Sequence, residues 1–355
     1  MGARRPARLA SAYRFFDPKR RSLDRYGVDA ADSDRQDLCG QTLDGRYRLL
    51  RRIGLGGTGV VFEAVCTRSA ERVAVKLLRT CFVNHIDLGT RLLREAEVSR
   101  RVLHPGIVRF HDQGTLFDGS PYLVMPLLFG ESLARLLKRV DVLPQREVAA
   151  LASRVASILH SAHSGGYIHR DVKPEHILLS RTTRGELKVH LLDFGVCSSA
   201  TAPAAEKHRE AGRVFGTPSY VSPEQASGEV SIDGRADLYG LGVVMFEALV
   251  GHVPFAASSV AKLLLRIIRD DAPRISDLVG GLDPGLDDIV SRLLKRDPEQ
   301  RMPSARALSR ALLPYSGDRH AADLRLSAML HDSAVANDAL TTVERLAPID
   351  TQRVA

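Results

Sequence analysis

The sequence predicts an α+β fold in two lobes, a small β-rich lobe followed by a larger, mainly helical one. Three observations carry this expectation. Between residues 45 and 125, short runs dense in Val, Leu and aromatic residues alternate with turn chemistry, as β-strands do. After Gly130 the apolar residues recur at three- and four-residue steps, as on one face of a helix. Ala236–Val250 is apolar almost all round, which suits a helix buried within a lobe. A cleft between two such lobes is a common ligand site.

Residues 1–44 are rich in Arg and Asp and weakly periodic, and are expected to form a flexible leader. The main body runs over 45–315, with the small lobe at 45–125, a connecting hinge at 126–130 and the large lobe at 131–315. Arg46–Ile53, Val60–Cys66 and Arg72–Leu78 read as strands. A helix is expected over Leu88–Arg101, where Leu92, Leu93, Ala96 and Val98 lie among charges, and His104-Pro105-Gly106 marks its exit. Ile107–Asp112 and Pro121–Leu128 read as two further strands. Glu147–His163 and Ala236–Val250 are the clearest helices of the large lobe. Residues 316–355 are polar and read as a tail with one short amphipathic piece, Ala322–Leu330.

Composition narrows the class. The chain has 355 residues, of which 44% are hydrophobic and 26% charged, as in a soluble globular protein of about two structural units. No apolar run approaches the roughly 18 residues of a membrane span, and the basic N-terminus lacks a secretory apolar core. Pro6 also makes Gly2 a poor myristoylation site. Cys39, Cys66, Cys81 and Cys197 are widely spaced and form no CxxC pair, which fits free thiols in a cytoplasmic setting. Much of the net charge of +8 lies in the first 27 residues, where eight Arg and Lys face only Asp17 and Asp24 and a solvated segment is the simpler reading. Without an aromatic-interleaved groove or zinc spacing, no nucleic-acid partner is expected. Nothing in the sequence specifies an oligomeric state.

Gly54-Leu55-Gly56-Gly57-Thr58-Gly59 fits GxGxxG, but a β-branched run follows it rather than a helix. The glycines therefore tip a hairpin, where backbone N–H groups can approach phosphates; a plain flexible hairpin is the alternative. One strand on, Val73-Ala74-Val75-Lys76 ends in a lysine that is inward-facing or snorkelling. If it faces inward it needs an anion, either a phosphate or a carboxylate. Glu95 and Glu97 on the following helix stand about 200° apart, so only one of them can face the cleft.

Farther on, His169-Arg170-Asp171-Val172-Lys173-Pro174-Glu175-His176 is followed by Leu191-Leu192-Asp193-Phe194-Gly195. Later landmarks are Gly216-Thr217-Pro218 with Ser222-Pro223-Glu224, then Asp237-Leu238-Tyr239-Gly240, Gly251-His252-Val253-Pro254-Phe255 and Asp297-Pro298-Glu299-Gln300-Arg301. In order and spacing these resemble the protein-kinase signature set, and most closely the bacterial (Hanks-type) serine/threonine protein kinases, over about residues 47–312.

The resemblance implies a bilobal protein-kinase-like fold and ATP-dependent transfer of the γ-phosphate to Ser or Thr hydroxyls of protein substrates, including autophosphorylation. It implies that Gly54, Leu55, Gly56, Gly57, Thr58 and Gly59 cover the phosphates of ATP and that Lys76 grips two of them. Glu95 would hold Lys76, leaving Glu97 to solvent. Asp171 would orient the acceptor hydroxyl, Lys173 would meet the γ-phosphate, and Thr217 would support both. Asp193 would hold Mg2+ or Mn2+. Val61, Ala74, the gatekeeper Met125, Pro126, Leu128, Leu178 and Leu192 would frame the adenine, though apolar residues at such positions are buried in most folds. Glu224 and Arg301 resemble the pair tying the activation segment to the large lobe. Asp237 resembles the aspartate holding the catalytic-loop backbone.

The pattern breaks in a few places. His176 stands where the family has a metal-binding Asn; an imidazole suits Mg2+ poorly and Mn2+ better. Its presence leaves open an ATP-binding pseudokinase acting as a nucleotide-sensing scaffold. Pro126 replaces a hinge Glu but keeps the carbonyl that adenine needs. Tyr239 replaces the commoner Trp, a matter of packing. Glu210, in the segment before Gly216, is a candidate to pair with Arg170 in place of a phosphate, or is an incidental surface residue. Cys197 is either a redox-sensitive thiol beside ATP or a small buried hydrophobe.

Overall fold

The computed structural model describes residues 35, 38–55, 59–79, 82, 86–182, 186–199, 216–229 and 231–330. The small lobe is built on one antiparallel sheet of β1 (Thr42–Leu43), β2 (Tyr47–Leu55), β3 (Gly59–Cys66), β4 (Arg72–Leu78), β5 (Asp112–Thr115) and β6 (Pro121–Pro126). Its spatial order is β1-β2-β3-β4-β6-β5. Between β4 and β5 the chain forms α1 (Ile86–Arg101), which packs Leu88, Leu92 and Ala96 against Leu78 and Leu123 of the sheet. The opposite face of the sheet buries Leu49, Phe62, Val75, Tyr122 and Val124.

Two expectations need correction here. Ile107–Asp112 is not a strand. Ile107 makes one parallel bridge to Leu191, the Phe110 N–H donates to Ser99 Oγ, and bonding to β6 begins only with the His111 N–H. The apolar residues of this run are consumed by packing, Ile107 in the large lobe and Phe110 beside α1. The end of the supposed leader is also part of the fold: Leu38 is buried, β1 pairs with β2, and Arg35 donates to the Leu78 carbonyl and to Asp118. The rest of the leader lies outside the described residues.

The chain leaves β6 at Pro126, beyond the last residue paired with β5, so the missing proline N–H faces no neighbour on that side. It re-enters structure as β7 (Gly130–Ser132), which pairs with the middle strand β9 (Ile177–Arg181) of a small sheet completed by β10 (Leu187–Leu191), while β8 (Tyr167–Ile168) pairs with Ser198–Ser199. Gly130 is required there, because a Cβ would collide with the Leu179 carbonyl. Ser132 then caps α2 (Leu133–Val140) by accepting from the Arg135 N–H.

The large lobe is organised by α3 (Gln145–Ser164) and α5 (Arg235–Val250), with α4 (Pro223–Ala226), α6 (Val260–Arg269), α7 (Pro284–Leu293) and α8 (Ala305–Ala311) around them. As its composition requires, α5 is buried on nearly every side. The amphipathic piece in the tail is a helix, α9 (Arg319–Met329), and it docks: Ala322, Leu326 and Leu330 are buried on one face. Arg154 and Glu147 of α3 pair with Asp323 and Arg325. At the far end Arg139 and Arg181 donate to the carbonyls of Met329, Ser327 and Leu330, satisfying groups that a helix C-terminus leaves open. A residue boundary at 315 thus cuts through a packed unit.

Candidate active site

The crevice between the lobes is lined first by apolar side chains. Ile53 of β2, Val61 of β3, Ala74 of β4, Met125 of β6, Leu178 of β9 and Leu192 form one buried cluster, with Leu127 and Leu128 of the hinge partly buried against it. β-Register explains why residues so far apart in sequence meet: Val61 lies opposite Lys76 and Ala74 opposite Met125. Every apolar pocket residue named from sequence is in or beside this cluster except Leu55, half-buried on the other face, and Pro126 at the strand end. Sequence reasoning misses Ile53 and Leu127; the available signal is that Ile53 stands next to Gly54 and Leu127 between Pro126 and Leu128. Gly56, Gly57 and Thr58 lie outside the described residues, while Gly54 and Gly59 flank them on paired strands.

Lys76 points inward. Its Nζ lies 2.7 and 2.9 Å from the two Glu95 oxygens, and both side chains are buried. Burial pulls the Lys76 ammonium down, but the Glu95 and Asp193 carboxylates outweigh it and leave its pKa raised. Glu97 faces solvent and pairs with Arg101 one turn on. α1 is fixed against the segment after Asp193 by Arg94, which donates to the Cys197 carbonyl at 3.0 Å. Cys197 itself is fully buried and its thiol is pushed up to about 12 by that burial, so it is a small hydrophobe and not a reactive thiol.

Asp171 is held by a compact knot. Its Oδ1 accepts from the Thr217 N–H at 3.0 Å, and its Oδ2 lies 3.0 Å from Lys173 Nζ. Lys173 Nζ also donates to Thr217 Oγ1 at 2.5 Å. Arg170, just before it, adopts φ 66°, a strained conformation for a side chain of its size. Asp237 compensates by accepting the His169 and Arg170 N–H groups at 2.9 and 2.7 Å, and Gln225 Nε2 caps the Arg170 carbonyl at 2.9 Å. His163 Nε2–H donates to Asp237 Oδ2 at 2.7 Å. Gly216 sits so close that a Cβ would press on the Arg170 carbonyl and Asp171, at φ 107°.

Asp193 also takes a left-handed conformation, φ 64°, steadied by the Gly195 N–H on its Oδ1. Phe194 then turns inward onto the edge of His169, with ring centroids 4.6 Å apart. Burial tends to raise the Asp193 carboxyl, but Lys76 and other cations of the crevice lower it. The ring of His176 spans the two acids: Nδ1 is 2.8 Å from the Asp171 carbonyl, and Nε2 is 3.5 Å from Asp193 Oδ2. Burial and Lys173 depress this imidazole to about 4, so it is neutral at pH 7. Sequence positions 171 and 193 therefore converge on one crevice, beneath Lys76 and Glu95.

Two residues far from the crevice support it. Arg301, fully buried, grips both oxygens of Glu224 at 2.7 Å and lies 5.0 Å over the Tyr239 ring. Tyr220 OH donates to Glu247 at 2.7 Å, closing the turn that follows Thr217. Glu210 lies outside the described residues.

A β-rich lobe above a helical one, with a buried Lys–Glu pair facing two acids across an apolar slot, defines a bilobal nucleotide-dependent phosphotransferase scaffold. Residues 47–313 match the family model described as the protein kinase domain, and the chain belongs to that family, in its bacterial (Hanks-type) serine/threonine branch. It is 36% identical over 262 residues to the serine/threonine-protein kinase PknD of Mycobacterium tuberculosis, which covers 74% of this chain and 38% of that one. PknH of Mycobacterium bovis is 36% identical over 295 residues, covering 82% and 48%. PknA of Mycobacterium tuberculosis is 37% identical over 266 residues, covering 74% and 59%. The match thus takes in between about two and three fifths of these relatives' own length. The crystal structure of the Mycobacterium tuberculosis PknI kinase domain superposes with TM-score 0.60 at 29% identity, covering 78% of this chain and 98% of that one. Among the described residues no helix is long and apolar enough to cross a membrane.

Proposed function

We propose that this chain transfers the γ-phosphoryl group of ATP to serine or threonine hydroxyls of proteins, itself included. The observation that supports this most directly is the Asp171–Lys173–Thr217 knot facing Asp193 and the Lys76–Glu95 pair. The apolar cluster around Ala74, Met125 and Leu178 supports an adenine site, with the carbonyl of Pro126 and the backbone of Leu128 as the proposed partners of its edge. Lys76, already charged and oriented by Glu95, neutralises phosphate oxygens without reorganising. Asp171, whose Oδ1 is held by the Thr217 N–H, orients the acceptor hydroxyl and takes its proton as the new O–P bond forms and the bond to the departing ADP breaks. Lys173 balances charge at the transferring group, and Thr217 fixes both, leaving room for an alkyl hydroxyl. Asp193 is the oxygen donor for a divalent ion, Mg2+ or Mn2+, which when bound neutralises the phosphates. A chain that consumes ATP and has free thiols at Cys39, Cys66 and Cys197 fits a cytoplasmic location.

The test is incubation of the purified chain with γ-labelled ATP and Mg2+ or Mn2+, followed by phosphoamino-acid analysis. Incorporation into Ser or Thr, abolished in Asp171→Asn, is the expected result. Stabilisation by nucleotide with no incorporation under either ion replaces the enzyme with a nucleotide-sensing scaffold.

A further inference from the structure

Within the catalytic run His176 is the residue that departs from the family, and its geometry gives it a chemistry of its own. We infer that His176 is a nitrogen ligand, through Nε2, for a divalent cation shared with the Asp193 carboxylate, and that the pair selects a transition ion such as Mn2+ over Mg2+. This rests on the phosphotransferase reading and adds the identity of the ion.

The tautomer follows from the contacts. Nδ1 lies 2.8 Å from the Asp171 carbonyl, an oxygen that can only accept, so the proton is on Nδ1. Nε2 then carries a lone pair. Among the described residues that atom has no hydrogen-bond partner, in a side chain of zero exposure, and it faces Asp193 Oδ2 at 3.5 Å. Two electron-rich atoms face each other with no proton between them. A buried acceptor left in this way loses its hydration with nothing in return, and a shared cation removes that cost. Two neighbouring ligands of one ion, each at about 2.1 Å, stand about 3 Å apart, so the observed separation needs a shift of only a few tenths of an ångström. A carbonyl holding the other ring nitrogen is the arrangement that orients metal-bound histidine elsewhere.

The choice of ion follows from ligand type. Mg2+ favours oxygen ligands in a strict octahedron, whereas imidazole suits first-row transition ions, and Mn2+ accepts nitrogen and phosphate oxygen together. Among the described residues no group of three or more His, Cys, Asp and Glu stands ready to hold a metal. With two protein ligands, the ion must draw the others from nucleotide and water, so its affinity rises when nucleotide is present.

The experiment reads ligation, not turnover. The full chain is loaded with Mn2+ and a non-hydrolysable ATP analogue, nucleotide binding is checked by thermal shift, and electron spin-echo spectra are recorded with natural and 15N-labelled histidine. A histidine nitrogen coupled to Mn2+ in the wild type and lost in His176→Asn is expected, as is a Mn2+/Mg2+ affinity ratio about tenfold or more above that of the variant. Should His176→Asn fail to fold, the isotope effect in the wild type still decides the matter. If the analogue binds but Mn2+ shows only oxygen ligands, this inference alone is overturned; if the analogue does not bind, the phosphotransferase reading falls with it.

Discussion

Arg301 offers a quantitative test of how the large lobe holds the crevice. All five of its N–H donors are used: Nε on the Lys295 carbonyl at 2.8 Å, Nη1 on Glu224 and the Arg235 carbonyl at 2.7 and 3.0 Å, and Nη2 on Glu224 and the Arg296 carbonyl at 2.7 and 2.9 Å. Arg301→Ala strands a buried carboxylate, a loss of about 3–5 kcal/mol, and opens three carbonyls besides. At about 2–3 °C per kcal/mol for a domain of this size, the Tm should fall by about 10 °C. Arg301→Lys keeps the charge but at most three donors and cannot fork, so it should fall by roughly half as much. A double change to apolar residues, Glu224→Leu with Arg301→Met, should cost less than Arg301→Ala, because no charge is left alone. Differential scanning fluorimetry measures all four proteins. If Arg301→Ala melts within about 2 °C of the wild type, or if the apolar pair is worse than the single change, the ledger for this pair is wrong.

Other predictions concern pH, the tail and the thiols. Burial depresses both His176 and His190 to about 4, so between pH 6.5 and 4 the unfolded chain binds more protons than the folded one. Stability is therefore full above the unfolded value and declines as pH falls through that window, by about 3 kcal/mol for each histidine; His190→Gln should flatten the decline of Tm, and an unchanged slope would contradict this. Leu326→Ala in α9 should lower the Tm by several degrees through the cavity it leaves, while the exposed Leu324→Ala should not, and equal effects would mean that the tail helix is not docked. In a background lacking the other three cysteines, Cys197 should resist a thiol reagent at neutral pH until denaturant is added, and rapid labelling of the native protein would refute its burial.

Local pattern was enough for the elements whose chemistry is local. Arg72–Leu78 is a strand over the expected residues, and Glu147–His163 and Ala236–Val250 are helices to within a residue or two. Ile107–Asp112 misled because the alternation of a strand and the needs of a packed coil select the same apolar residues; only the neighbours at Ser99 and Leu191 decide between them. The docked end of the leader shows the same limit. Arg35 looks like any solvated arginine until the Leu78 carbonyl and Asp118 are found beside it.

The order and type of Lys76, Glu95, Asp171, Lys173, Asp193 and Thr217 were legible in the chain through its resemblance to the protein-kinase signature set. What folding alone decided is how those groups are held. The left-handed turns at Arg170 and Asp193 need Asp237 and Gly195 to steady them. The tautomer of His176 depends on which oxygen lies against Nδ1. The tail helix is held because Ala322, Leu326 and Leu330 meet the large lobe and two arginines from other elements reach its end. Side-chain identity is written residue by residue, whereas desolvation and hydrogen-bond partnership are properties of neighbours brought together from distant parts of the chain.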